Sequence, residues 1–306
     1  MTSSGTLQLN APHVPDAALG PLLTACPICG DQHPRSVVVT LQNDPKVELL
    51  QCTHCGGRSA SHMPTAAYLN ELYDPTKYHS DLLGSAQATE RCASRIASFL
   101  DGFKTKPLRL LDYGGSDGTL SHALDQLLTR RGFTGKRDFT VVDLHSRPPA
   151  PPLRFIDLNA FSKLEERFDV VLASAVIEHL PNLREVVQRL LELRAPESVF
   201  YARTPCDAPL QRWFPGYRVR WPRHLHDLGP EFWAQFTNTF HCPGKLVHSS
   251  PSVIESDYRR HPIRSSIAFM LKLPGHMETR FLQPMLQYSV PKWDLVGGWE
   301  VVIRTP

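Results

Sequence analysis

Apolar residues along the chain fall into short runs separated by stretches of helical spacing. Leu108–Tyr113, Asp138–Asp143, Leu153–Asp157 and Phe168–Ala173 are four aliphatic and aromatic runs of strand length, and each leads into small or acidic residues. Between them, Thr119–Leu128 and the segment starting near Asn182 carry helical spacing. Strands that alternate with helices predict an α/β fold, a doubly wound and mostly parallel Rossmann-like sheet with its ligand crevice at the strand tips. A fifth strand, Ser198–Ala202, precedes a helix starting near Pro230. Gly244–Ser249 and Trp299–Arg304 supply the last two of seven strands, with an antiparallel edge. Upstream, Leu82, Ala86, Ala93, Ile96 and Phe99 recur at helical intervals and predict a helix over Asp81–Leu100. Ser36–Thr40 and Val47–Gln51 read as the two strands of a small ribbon.

This pattern divides the chain into a flexible tail at 1–22, a ribbon at 23–62, a linker at 63–80 and a Rossmann-like domain at 81–306. The aromatic residues Tyr68, Tyr73 and Tyr78 are expected to pack the linker onto that domain. Within it, 251–298 is a long insertion, rich in Pro, Arg and aromatic residues, expected to act as a lid or as the contact of a homodimer. Composition then narrows the class. Hydrophobic residues at 42% and charged residues at 21% describe a globular protein, and 33 basic against 30 acidic side chains leave a net charge of +3. That balance argues against a strongly basic nucleic-acid or membrane-surface protein. With neither a leader pattern nor a spanning apolar run, a cytoplasmic protein with no membrane partner is expected.

Seven cysteines are an odd number, and four of them form two Cys-x-x-Cys pairs, Cys26/Cys29 and Cys52/Cys55, each followed by glycine. Two thiols three residues apart on a tight knuckle can face one ion, and four thiolates complete a closed tetrahedral Zn2+ site. His33 and His54 lie close by, but the symmetry of the two knuckles favours sulfur, and a site with all four positions filled is structural.

The first strand of the sheet ends in Asp112-Tyr-Gly-Gly-Ser-Asp-Gly118, and the fourth leads into Val176-Ile-Glu-His-Leu180. A glycine turn between strand and helix lets backbone approach a ligand. Together these motifs resemble the class I S-adenosylmethionine-dependent methyltransferases, over a span from about Asp81 to the C-terminus. With the double Cys-x-x-Cys module and the Tyr73-Asp-Pro-Thr-Lys-Tyr78 linker, the chain is similar to the sugar methyltransferases of natural-product and surface-polysaccharide pathways.

The resemblance implies S-adenosyl-L-methionine as cofactor, with Asp112, Gly114, Gly115 and Gly118 around its methionine part. Ser116 stands where a middle glycine is usual. Asp143 matches the ribose-binding acid at a longer interval than is typical. Asp157 and Leu158 match the adenine contact, and Ala175 and Val176 the wall after the fourth strand. An acid at a strand tip can also serve only as a helix cap.

Methyl transfer to a hydroxyl needs alignment and a proton acceptor. The candidate bases are His224, His226 and His179, with Asp227 expected to orient whichever histidine serves. The bland reading of His179 is a buried histidine bonded to backbone. Arg203, Arg212, Arg218, Arg220 and Arg223 are interleaved with Trp213, Phe214, Tyr217 and Trp221. Arg218, Arg220 and Arg223 are the candidates for binding a phosphate-bearing acceptor such as a nucleotide-linked sugar, and the alternative is an irregular loop whose arginines pair with acids elsewhere. The expected function is methylation of a small-molecule or glycan acceptor. An RNA base methyltransferase is the first alternative, weakened because between Cys26 and Cys55 only Arg35 and Lys46 are basic. A non-catalytic scaffold is the second, weakened because Asp112, Asp143 and Asp157 are all retained.

Overall fold

In a computed structural model, the described residues are 13–74, 86–144, 152–214, 216–252, 254, 262–286 and 289–305. The start of the helix expected from Asp81, together with Tyr78, lies outside them. The N-terminal part comprises β1 (Ser36–Gln42), β2 (Val47–Gln51), β3 (Arg58–Ala60) and α1 (Ala66–Leu72). The Rossmann-like part opens with α2 (Ala86–Ala97), β4 (Leu108–Tyr113), α3 (Thr119–Arg130), β5 (Arg137–Val142), β6 (Leu153–Ile156) and α4 (Leu158–Ser162). It continues through β7 (Phe168–Ser174), α5 (Leu183–Glu192), β8 (Arg194–Thr204), α6 (Ala208–Trp213), β9 (His226–Asp227), α7 (Pro230–Thr239) and β10 (Lys245–Pro251). The insertion holds α8 (Pro262–Met277) and α9 (Gln283–Leu286), and β11 (Trp299–Arg304) ends the fold.

Seven strands form one sheet in the order β10-β11-β8-β7-β4-β5-β6. The pairs β4·β5, β4·β7, β5·β6 and β7·β8 are parallel. The chain therefore starts at the centre of the sheet, winds outward to β6, then returns across β7 to the other side. This reversal between β4 and β7 opens a crevice at the strand tips. The last strand is antiparallel as expected, but it is not the edge: β11 lies between β8 and β10 and is antiparallel to both.

Apolar spacing explains how the layers close. Leu108, Leu110 and Leu111 of β4 are all buried, as a central parallel strand requires. On one face, Ala93 and Ile96 of α2 pack with Leu120, Leu124 and Leu128 of α3. On the other, Leu183, Val186, Val187 and Leu190 form one stripe of α5 beside Phe232, Trp233 and Phe236 of α7.

The ribbon is larger than its two sequence-evident strands. It is a four-stranded sheet, β1-β2-β3-β9, whose last strand comes from the Rossmann-like part. Ser59 pairs with His226 and Arg58 with Asp227. Cys26, Ile28, Cys52 and Cys55 share one core with α7. Buried Arg58 donates to Asp227 at 2.8 Å and also reaches Glu231 at the start of α7. Removing one partner of such a pair costs about 3–5 kcal/mol. Tyr68, Leu69, Leu72 and Tyr73 pack with Trp221 and Leu225, which seats the described part of the linker. Among the described residues, no helix is long and apolar enough to cross a membrane.

Candidate active site

The tips of β4, β5 and β6 lie side by side and carry the glycine loop and two acids. Gly114 has φ +73°, and a Cβ there would lie 2.3 Å from Val176 Cγ2. At Gly115 a Cβ would meet Asp112 and Val141 at 2.7 Å. Glycine is needed at both positions because the loop lies flat on the sheet. Ser116, the departure from a glycine-rich turn, is left-handed at φ +52°, and its N–H donates to Asp143 Oδ2 at 2.8 Å. That bond fixes a conformation that a non-glycine residue adopts at a cost.

Asp112 lies beneath this loop. It is buried, accepts a 2.7 Å hydrogen bond from the Ser121 hydroxyl, and burial pushes its carboxyl up to about 6. Asp143 accepts the Leu144 N–H through its other oxygen, and Asp157 caps α4 by accepting the Ala160 N–H at 2.8 Å. The side chains after these acids, Leu144 and Leu158, are both exposed on neighbouring strand tips. Together they give a floor of amides and glycines, a carboxylate, and apolar flanks.

Beyond the β7 tip lies a cavity of about 550 Å³. Ala175 stands at its edge with φ +57°. Glu178, His179, Arg203, Asp207, Tyr217 and His224 supply its polar wall. Ser265, Ile267, Ala268, Leu271 and Lys272 of α8, in the described part of the insertion, also line it. Contact with a second copy has a surface available in exposed Ile263, Met270, Met285 and Leu286.

The polar wall is tightly organised. The His179 Nδ1–H donates to the Arg223 carbonyl at 2.8 Å, leaving Nε2 as a bare lone pair, and burial pushes the ring down to about 4. Burial pushes Glu178 up to about 7. The rings of His179 and His224 meet edge to face at 5.0 Å, and His224 Nδ1 is 3.7 Å from Asp207 Oδ2.

Several sequence-derived positions change here. His226 does not line the cavity: its Nε2 donates to the Leu180 carbonyl and its Nδ1 accepts from Ser59, both at 2.8 Å. Both nitrogens are spent on joining β9 to its neighbours. Asp227 orients no histidine, because it receives Arg58 and the backbone N–H groups of Asp207 and Ala208. The acid beside His224 is Asp207. Of the three arginines, Arg220 lines the cavity, whereas exposed Arg218 donates to the Tyr217 carbonyl and Arg223 contributes its carbonyl to His179. Arg203, the first arginine of the arginine-aromatic stretch, also lines the cavity, whereas Asp207 and Glu178 are not singled out by the sequence. Glu178 was within view, adjacent to His179 in the motif after β7.

The cysteines lie apart from the cavity. Cys26 and Cys55 sulfurs are 3.8 Å apart and those of Cys29 and Cys52 are 3.7 Å apart. All four lie within 4.8 Å of one another. Sulfurs tetrahedral about zinc at about 2.3 Å are separated by about 3.8 Å, so the set fits the ion and fills every position. Shared hydrogen bonds pull the Cys26 thiol down and push Cys29 and Cys55 up. Exposed His33 pairs with Asp31 instead.

The family described as a methyltransferase domain matches residues 85–240, just over half of the chain. No curated protein matches. Among solved structures, the chain is similar to the 1,6-didemethyltoxoflavin-N1-methyltransferase of Burkholderia thailandensis. Identity is 16%, coverage is 87% of this chain and 98% of that one, and the TM-score is 0.46. It is also similar to the N-methyltransferase NodS of Bradyrhizobium japonicum WM9, at 12% identity, 78% and 97% coverage, and a TM-score of 0.41. Likeness at this level assigns no acceptor. The family match runs from α2 through α7, across the glycine loop, the β7 tip and His224, and the chain belongs to the methyltransferase-domain family.

Proposed function

We propose that this methyltransferase takes S-adenosylmethionine at the glycine loop and methylates a small polar acceptor held in the adjoining cavity. The observation that carries the reading is the wall the two spaces share. Val176 closes against Gly114 on one side, while its neighbours Ala175, Glu178 and His179 line the cavity on the other. A donor on the glycine loop thus faces the polar wall across a single strand tip.

The strand tips fit the cofactor chemically. Gly114 and Gly115 pack the loop closely against Val176, Asp112 and Val141, Asp143 keeps acceptor capacity for ribose hydroxyls, and exposed Leu144 and Leu158 offer apolar faces for adenine. Bound there, the cofactor supplies an electrophilic methyl on a sulfonium. The protein then has two tasks, which are alignment and activation of the nucleophile. Tyr217, Asp207 and Arg220 are suited to orienting a polar acceptor, and α8 to excluding water above it. Glu178, His179 and His224 face the acceptor's nucleophile. His179, held uncharged by burial, offers a lone pair, and His224 stands with Asp207 beside it.

The cavity volume suits an acceptor of sugar size, and Arg220 suits a phosphate carried on it. Two features disfavour the RNA alternative. Arg35 is spent on the Leu23 carbonyl and Lys46 on Glu48, and β9 joins the ribbon into the fold as a buttress. Release of S-adenosylhomocysteine, measured over nucleotide-linked sugars and over RNA in separate reactions, tests the reading. Turnover on a nucleotide-linked sugar is expected, and turnover on RNA alone would overturn the acceptor assignment.

A further inference from the structure

Glu178, His179 and His224 each offer one ligand atom, and these atoms lie within 4.8 Å of one another at the cavity wall. Glu178 is 2% exposed and His224 6%. Glu178 Oε2, His179 Nε2 and His224 Nδ1 are all buried without a hydrogen-bond partner. One buried polar atom without a partner is a local irregularity. Three in one cluster, on residues that all line the same cavity, describe a site built for something that satisfies them together.

The surroundings match those of a ligand set. The Nδ1–H of His179 is held by the Arg223 carbonyl, which fixes the tautomer that presents Nε2, the way a metal-bound imidazole is usually oriented by its other nitrogen. The Tyr73 hydroxyl, 3.0 Å from the same Nδ1 and 3.1 Å from the same carbonyl, steadies that arrangement. The two segments that carry the cluster are joined by backbone, since Leu225 N–H donates to the Glu178 carbonyl at 2.8 Å. His226, bonded to the Leu180 carbonyl, fastens them again two residues along. Asp207 adds a second negative charge 3.7 Å from His224 Nδ1.

We propose that Glu178, His179 and His224 form a second metal site, distinct from the four cysteines, that binds a divalent first-row transition metal ion. Two imidazoles and one carboxylate suit Mn2+, Co2+ or Zn2+, and three protein ligands leave positions open. Those positions face the cavity, where an oxygen of the acceptor completes the shell. The use of the ion rests on the acceptor reading above, whereas ion binding by the resting protein does not, so the two can fail separately.

The probe is Mn2+, a hard ion with little affinity for a site of four thiolates. It is titrated calorimetrically into full-length, zinc-loaded protein that has been passed through a mild chelator. One Mn2+ per chain is expected, with affinity falling at least tenfold in both Glu178→Gln and His224→Asn. Co2+ added in place of Mn2+ should give the weak visible bands of nitrogen and oxygen ligation, without the intense sulfur-to-cobalt charge transfer of the cysteine site. Near-identical circular dichroism keeps loss of folding apart from loss of a ligand, and if either variant misfolds, the cobalt spectrum of the wild-type protein decides. No Mn2+ binding by the wild type, or unchanged binding in the two folded variants, would overturn the proposal.

Discussion

The two sides of the β7 tip are built from different materials. On the glycine side, the groups available to a ligand are amides, glycines and one carboxylate, and each lies within a few residues of a strand end. On the cavity side they are side chains drawn from the turn after β7, the loops around α6 and before β9, and α8. The difference teaches a division of labour. A ligand common to a whole family is held by features that the sheet topology itself creates. An acceptor peculiar to one enzyme is held by residues that loops bring from distant parts of the chain.

The comparison can be broken most forcefully on the cavity side. His224→Asn should lower kcat by about 10²–10⁴-fold, the range for losing a group that activates the nucleophile. Steady-state release of S-adenosylhomocysteine measures this, and a loss confined to KM would return His224 to acceptor binding alone. On the glycine side, the buried Asp112 carboxyl ionises near 6 in the folded protein, against an ordinary value of 3.8. Its raised folded value means that the stability this one carboxyl contributes is fully present below about pH 4 and is lost as pH rises through about 6. The difference corresponds to about 3 kcal/mol. Asp112→Asn should remove that part of the pH dependence, which denaturant melts of both proteins between pH 4 and 7 would reveal. The smallest expected effect is at the cavity mouth, where Arg220→Ala should raise acceptor KM several-fold, about 1 kcal/mol for an exposed charge, and leave kcat unchanged. Arg218→Ala, whose guanidinium is turned to a backbone carbonyl, is the matched control.

The same division explains what could be read from the sequence. Strands β4 to β7 and their tips were legible because a parallel strand, its turn and its acid lie within about ten residues. The cysteine site was legible because paired spacing is itself the signal. The cavity was legible only in pieces: His179, His224, Tyr217 and Arg220 belong to motifs visible along the chain, whereas Asp207 and Ser265 share no local pattern with them. His224 and His226 are both buried, so no polarity signal separates them. Only the pairing of two-residue β9 with β3, across a large sequence separation, assigns His226 to the sheet contact and frees His224 for the cavity. The same pairing draws Asp227 to Arg58 and leaves Asp207 beside the histidine.

The division of labour rests on S-adenosylmethionine binding to the glycine side without help from the cavity wall. Calorimetric titration of the cofactor into the wild type, Asp143→Ala and His224→Asn tests this directly. One site per chain is expected, weakened about tenfold or more in Asp143→Ala, where a charged hydrogen-bond acceptor is lost, and unchanged in His224→Asn. No binding by the wild type, or a loss in His224→Asn equal to that in Asp143→Ala, would contradict the account.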